Sequence, residues 1–90
     1  MSSERSFYDV IKYPLMTEKA ITELELKGKV TFIVDLKANK KLIKDVIEKY
    51  FGVKVKKVNT MITPKGLKKA IVTFENVEDA RKVAIALGIL

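Results

Sequence analysis

Val53-Lys54-Val55-Lys56-Lys57-Val58-Asn59-Thr60-Met61-Ile62-Thr63-Pro64-Lys65-Gly66-Leu67-Lys68-Lys69-Ala70-Ile71-Val72-Thr73-Phe74 is β-prone throughout except for one break, at Pro64-Lys65-Gly66. Proline presets φ for a turn, and glycine supplies a left-handed position without steric cost. With so short a connection, the two flanking runs are expected to pair as an antiparallel hairpin. One side of that hairpin is apolar. The other carries Lys54, Lys56, Lys65, Lys68 and Lys69 among small polar groups. Such a strand pair can close a core with one face and offer the other to a polyanion. The alternation has one fault. Val53 and Val55 share one parity, whereas Val58, Thr60 and Ile62 share the other. A one-residue bulge at Lys56-Lys57 would restore a single buried face and re-aim a lysine.

Upstream of the hairpin, Asn39 is placed to cap an amphipathic helix running to about Phe51, which Gly52 stops. Leu42, Ile43, Val46, Ile47 and Tyr50 form its apolar stripe, while Lys40, Lys41, Lys44, Glu48 and Lys49 face outward. Tyr50 and Phe51 are expected to pack into the core rather than stack on bases. Before this helix, residues 30–36 (VTFIVDL) read as a strand. Val30, Phe32, Val34 and Leu36 share one face. Ile33, on the other, indicates that this second side is not fully exposed. Thr17 can cap a short helix with Glu18 in its first turn, Ala20, Ile21 and Leu24 inward, and Gly28 at its end. Residues 7–13 (FYDVIKY) read as a short strand or extended arm closed by Pro14.

Downstream, Ala70, Val72 and Phe74 face in from the return strand. Asn76 and Asp79 have capping-box spacing, and Val77, Ala80, Val83, Ala84 and Leu87 mark a last helix stopped by Gly88. Ile89 and Leu90 are expected to fold back as an apolar tail. The expected class is α+β, with a small, mostly antiparallel sheet of three to four strands and three helices packed on it, in one domain spanning 1–90.

The net charge of +7 is unevenly placed. Residues 37–69 hold eleven basic groups against two acidic ones, a local balance of +9, and the flanks are each close to neutral. A basic excess concentrated in this way on a small domain is the electrostatic footprint of nucleic-acid binding. The cations are nearly all lysines, which neutralise phosphate as point charges; arginine is the better reader of guanine edges. Recognition of backbone and shape is therefore expected. The chain has no histidine and no cysteine, which removes the commonest general acid–base, the thiol nucleophile and the usual transition-metal ligands. No phosphate-binding glycine loop and no catalytic constellation is visible, so neither an enzyme nor a cofactor is expected. The first residues lack a signal-peptide core and no apolar run approaches membrane-spanning length, so an intracellular location is expected.

From Val30 onward the element order follows most of an RNA-recognition fold, βαββα. Ala70, Val72 and Phe74 overlay part of its RNA-binding signature, but Lys69 and Ile71 stand where that signature wants aromatics. Base stacking is thereby disfavoured, and the last strand of that fold is missing. A free-standing RNA-binding module of this type is the alternative reading. A small protein-interaction domain, charged only for solubility, is another.

Four motifs carry a more specific likeness. They are IKYPLMTEKA at 11–20, FIVD at 32–35 followed by Ala38-Asn39-Lys40, FGVKVKKVNT at 51–60, and KKAIV at 68–72. Over nearly its whole length the chain resembles large-subunit ribosomal protein twenty-three, in its short archaeal-type form. The resemblance implies a non-catalytic protein of the cytoplasmic ribosome that binds large-subunit rRNA. It also implies a place on the outside of the polypeptide exit tunnel beside ribosomal protein twenty-nine. There it would dock nascent-chain factors, chiefly the signal recognition particle. Glu18 matches the family's acidic docking residue. Lys19, Asn59, Thr60, Lys68 and Lys69 match positions expected near rRNA, and Lys12, Lys40, Lys54, Lys56, Lys57 and Lys65 complete the candidate rRNA-binding set. The long basic hairpin loop that lines the tunnel in bacterial members has no counterpart between Ile62 and Leu67.

Overall fold

A computed structural model describes residues 3–88, with side chains from residue 7 onward. Its elements are α1 (Ser3–Val10), β1 (Ile11–Pro14), α2 (Glu18–Lys27), β2 (Lys29–Val34), α3 (Lys40–Phe51), β3 (Val55–Ile62), β4 (Lys68–Phe74) and α4 (Val77–Ala86). The four strands form one antiparallel sheet in the order β1-β2-β4-β3. The α+β class and the antiparallel sheet agree with the expectation.

The hairpin forms as expected. Gly66 N–H donates to the Thr63 carbonyl at 2.9 Å, and Thr63 N–H donates to Leu67 O at 2.8 Å. The parity fault is resolved by a bulge at Lys56: Val55 pairs with Phe74 while Lys57 pairs with Thr73. Val55 and Val58 are both buried, and Lys56 and Lys57 between them are exposed. The inward parity weakens toward the turn, where Ile62, paired with Lys68, is 60% exposed.

One face of the sheet is covered. Val30, Phe32 and Val34 of β2 and Ala70, Val72 and Phe74 of β4 join Val55 and Val58 in a core closed by α1, α3 and α4. Ile43 and Ile47 seal it from α3, and Ala80, Val83 and Ala84 from α4. Leu36, expected on the inward face, lies beyond the end of β2 and is 58% exposed. A turn at 36–37, with Ala38 N–H bonded to Asp35 O, lifts the chain off the sheet there.

The arm expected at residues 7–13 divides in two. Residues 11–13 lie in β1, but Phe7 to Val10 belong to α1, a fourth helix beyond the three expected. Tertiary packing overrides the β propensity of this stretch. Phe7 is fully buried, its ring stacked on Tyr50 at 4.1 Å between centroids and edge-on to Phe51 at 5.4 Å. Tyr50 and Phe51 thus serve as core packing. β1 then adds to the edge of β2, so the sheet gains its fourth strand from the N-terminal side rather than after the last helix.

Helix ends follow the sequence signals with one exception. Thr17 Oγ1 accepts from Ala20 N–H at 3.1 Å, and Asn39 Oδ1 from Leu42 N–H at 2.8 Å. Asn76 does not cap α4 through its side chain; its Nδ2 lies 3.4 Å from Asp79 Oδ2 instead. Glu48, expected to point to solvent, turns toward β3 and accepts from Val55 N–H at 2.9 Å. The expected apolar tail at Ile89 and Leu90 lies outside the described residues.

Gly28 and Gly52 end α2 and α3 with φ of +65° and +67°. Both substitutions to alanine are strained by about 1 kcal/mol, because Cβ crowds the backbone in the left-handed region. Only Gly28 meets a neighbour as well, since an added Cβ would lie 3.3 Å from Val77 Cα at the start of α4. Gly28→Ala should therefore lower the melting temperature by more than Gly52→Ala, with about 5–10 °C expected for the former. Equal shifts in thermal melts would show that α4 yields freely at Val77.

Candidate nucleic-acid interface

The register assigns every sheet side chain to a face. Tyr13, Lys29, Thr31, Ile33, Lys69, Ile71, Thr73, Lys57, Asn59 and Met61 form the face opposite the helix-covered core. Three rows cross it: Lys57–Thr73–Lys29, Asn59–Ile71–Thr31, and Met61–Lys69–Ile33–Tyr13. Cations stand at both ends of the first row and inside the third. Ile33, between Lys69 and Tyr13, is only 3% exposed, as its place in the sequence indicated.

α2 borders this face. β1 pairs with β2 only from Phe32 to Val34, and α2 packs against β2 and α4 in the space left beside the first half of that strand. Its Leu24 is buried in the core. Between α2 and the open face runs a cleft of about 280 Å³. Leu15, Ala20, Met61 and Ile71 give it an apolar lining, and Lys19, Lys29 and Lys69 line it as well. Glu23 belongs to the same lining, paired with Lys27 Nζ at 3.6 Å. Among the described residues two buried polar atoms beside this face lack a hydrogen-bond partner, Glu23 Oε2 and Thr73 Oγ1.

The candidate residues fall in different places. Lys57, Asn59 and Lys69 lie on the open face, and Lys19 lines the cleft. Lys12 and Lys56 occupy the irregularities of β1 and β3, and Lys65 lies at the hairpin tip; all three are exposed. Lys54 is exposed just before β3. Lys40, exposed in the first turn of α3, belongs to the helical side of the molecule. Thr60 pairs with Ala70 on the inward face and is half-buried at the sheet edge. Lys68 also points inward rather than to the cationic side, because Lys68 and Lys69 are neighbours on one strand and must face opposite ways. The Lys68 ammonium donates to the Ala38 carbonyl at 2.6 Å and ties the β2–α3 loop to β4. Glu18 is exposed in the first turn of α2 and is absent from the cleft lining.

Among the described residues the only ion pair joins Lys27 to Glu23, so the lysines of the middle third are not neutralised by acidic neighbours. They separate into two groups, one on the open sheet face and hairpin and the other along α3 at Lys40, Lys41, Lys44 and Lys49. No group of three or more metal-ligating side chains comes together among the described residues, and none of their helices is long and apolar enough to cross a membrane. Sequence reasoning missed Lys29, Thr31, Glu23 and Ile71. Two of them look like ordinary strand residues until β2 and β4 are placed side by side.

Against known families, a model described as ribosomal protein L23 matches residues 9–88, nearly the whole chain.

Proposed function

Since the chain belongs to the ribosomal protein L23 family and is therefore a large-subunit ribosomal protein that binds rRNA, we propose that it grips that rRNA with the open face of its sheet. The observation that carries this reading is a sheet face, buried at Thr31 and Ile33 but exposed at Lys57 and Met61, that carries Lys29, Lys57 and Lys69, none of them ion-paired to an acidic residue among the described residues. Lys19 from α2, Lys56 from the bulge and Lys65 from the turn extend the cationic surface along its margins. Lys12, Lys54 and Asn59 add contacts at the same margins, while Thr60 and Lys40 reach rRNA only if it wraps the β3 edge. The face has no aromatic platform across β2 and β4, so it holds phosphate and shape rather than stacked single strands. The role is structural and non-catalytic.

The protein sits on this reading at the outside of the exit tunnel, beside ribosomal protein twenty-nine, in the cytoplasmic ribosome. Glu18 then faces away from the rRNA and serves as a docking point for the signal recognition particle or another exit-site factor. Gradient sedimentation of cell lysate tests the assignment. The protein should co-migrate with large subunits through moderate salt; recovery only in light, RNA-free fractions would overturn it. Glu18→Arg ribosomes should assemble normally and bind the factor about tenfold more weakly, as expected for loss and reversal of one interfacial charge. Unchanged factor affinity would remove Glu18 from the docking surface.

A further inference from the structure

We infer that the cleft between α2 and the open sheet face receives a single nucleobase, extruded from the rRNA that the surrounding lysines hold. The inference rests on the rRNA-binding reading and adds a base-reading site to it. Its volume of about 280 Å³ falls just below the ~300–1,000 Å³ typical of small-ligand sites, which suits one base and not a larger cofactor. The lining is of mixed chemistry. Ala20 and Ile71 offer apolar surface from α2 and β4, so a flat ring can be covered without an aromatic partner. Lys19, Lys29 and Lys69 are placed to meet the phosphates on either side of the flipped nucleotide.

Glu23 decides between base and phosphate as the occupant. A carboxylate in the wall repels a phosphate and makes the cleft a poorer phosphate site than its lysines alone would. A base with an amino group, by contrast, brings N–H donors to a carboxylate. Among the described residues Glu23 Oε2 has no hydrogen-bond donor; its one ion pair is to Lys27 Nζ, at 3.6 Å. The last torsion of a glutamate side chain is broad, so a small rotation turns the carboxylate toward the cleft. Adenine, cytosine or guanine fits this wall; uracil, which has no amino group, does not. An unpaired nucleotide in a bulge or loop can leave its stack at small cost, and such positions are where proteins read RNA sequence.

The test uses the full chain bound to deproteinised large-subunit rRNA, probed in parallel by hydroxyl radicals for the backbone and by base-reactive reagents for Watson–Crick edges. Wild-type protein should protect the base edge of one unpaired nucleotide inside its backbone footprint. Ala20→Leu fills the cleft from a helix that tolerates leucine, and Glu23→Ala removes the acceptor without adding bulk. Both should restore reactivity of that same base and weaken binding about tenfold, while the backbone footprint persists. Thermal melts confirm folding, and should Ala20→Leu fail to fold, Glu23→Ala decides alone. A backbone footprint with no base responding to Glu23→Ala overturns the base site and leaves rRNA binding intact. Absence of any backbone footprint overturns both.

Discussion

Phe32→Ala should cost about 3–5 kcal/mol, the range for truncating a fully buried phenylalanine, and lower the melting temperature by roughly 15–30 °C. Phe32 is fully buried at the middle of β2, opposite Ala70 on β4, in the core cluster that also holds Ala80 and Ala84 of α4. Small side chains on two sides cannot extend into the space a lost ring leaves, so the cavity term stays close to its maximum. A domain of this size has about 5–15 kcal/mol in total, so most of the margin disappears. Ile62→Ala is the matched control. It removes another large apolar side chain, but one that is 60% exposed, so its cost should stay within about 0.5 kcal/mol. Denaturant unfolding of the two variants checks the contrast. A Phe32→Ala loss below about 2 kcal/mol would mean that α4 settles onto the sheet and closes the void.

The contrast between those two residues shows what the sequence could and could not convey. Local signals were readable wherever one residue decides one geometry. Asn39 and Gly52 bracket α3, Pro64 and Gly66 make the turn, and the parity fault at Lys56-Lys57 announced the bulge. Strand parity alone, however, put Ile62 and Leu36 with the core, and burial depends on whether a helix lies above them. α1 was hidden for a related reason. Phe7, Tyr8 and Val10 favour a strand by composition, and the helix is settled by the packing of Phe7 on rings far along the chain, at Tyr50 and Phe51. The cleft was harder still. Lys29 and Ile71 come near each other only because β2 and β4 are neighbours in the order β1-β2-β4-β3, and α2 fills a gap that a short β1 leaves.

Strand alternation separates Lys68 from Lys69, which the sequence presents as one basic pair, and gives them opposite experimental signatures. Replacing Lys29, Lys57 and Lys69 together with alanine should shrink the slope of log affinity against log salt by roughly 2–3, since each phosphate contact contributes about 0.9 in duplex nucleic acid. Affinity for rRNA at low salt should fall about 100-fold, and thermal stability should hardly move, because none of the three is in an ion pair. Lys68→Ala should do the reverse. It leaves the salt slope in place and lowers stability by about 1–3 kcal/mol, because the Ala38 carbonyl loses a charged donor at 2.6 Å. A third variant, with Lys40, Lys41 and Lys44 replaced, decides between the two cationic groups. Those side chains project from α3, on the side of the core away from the open sheet face, so one rigid RNA helix cannot engage both groups unless it wraps the β3 edge. A reduced slope only in the α3 variant would move the rRNA to the helical side and leave the open sheet face to another partner.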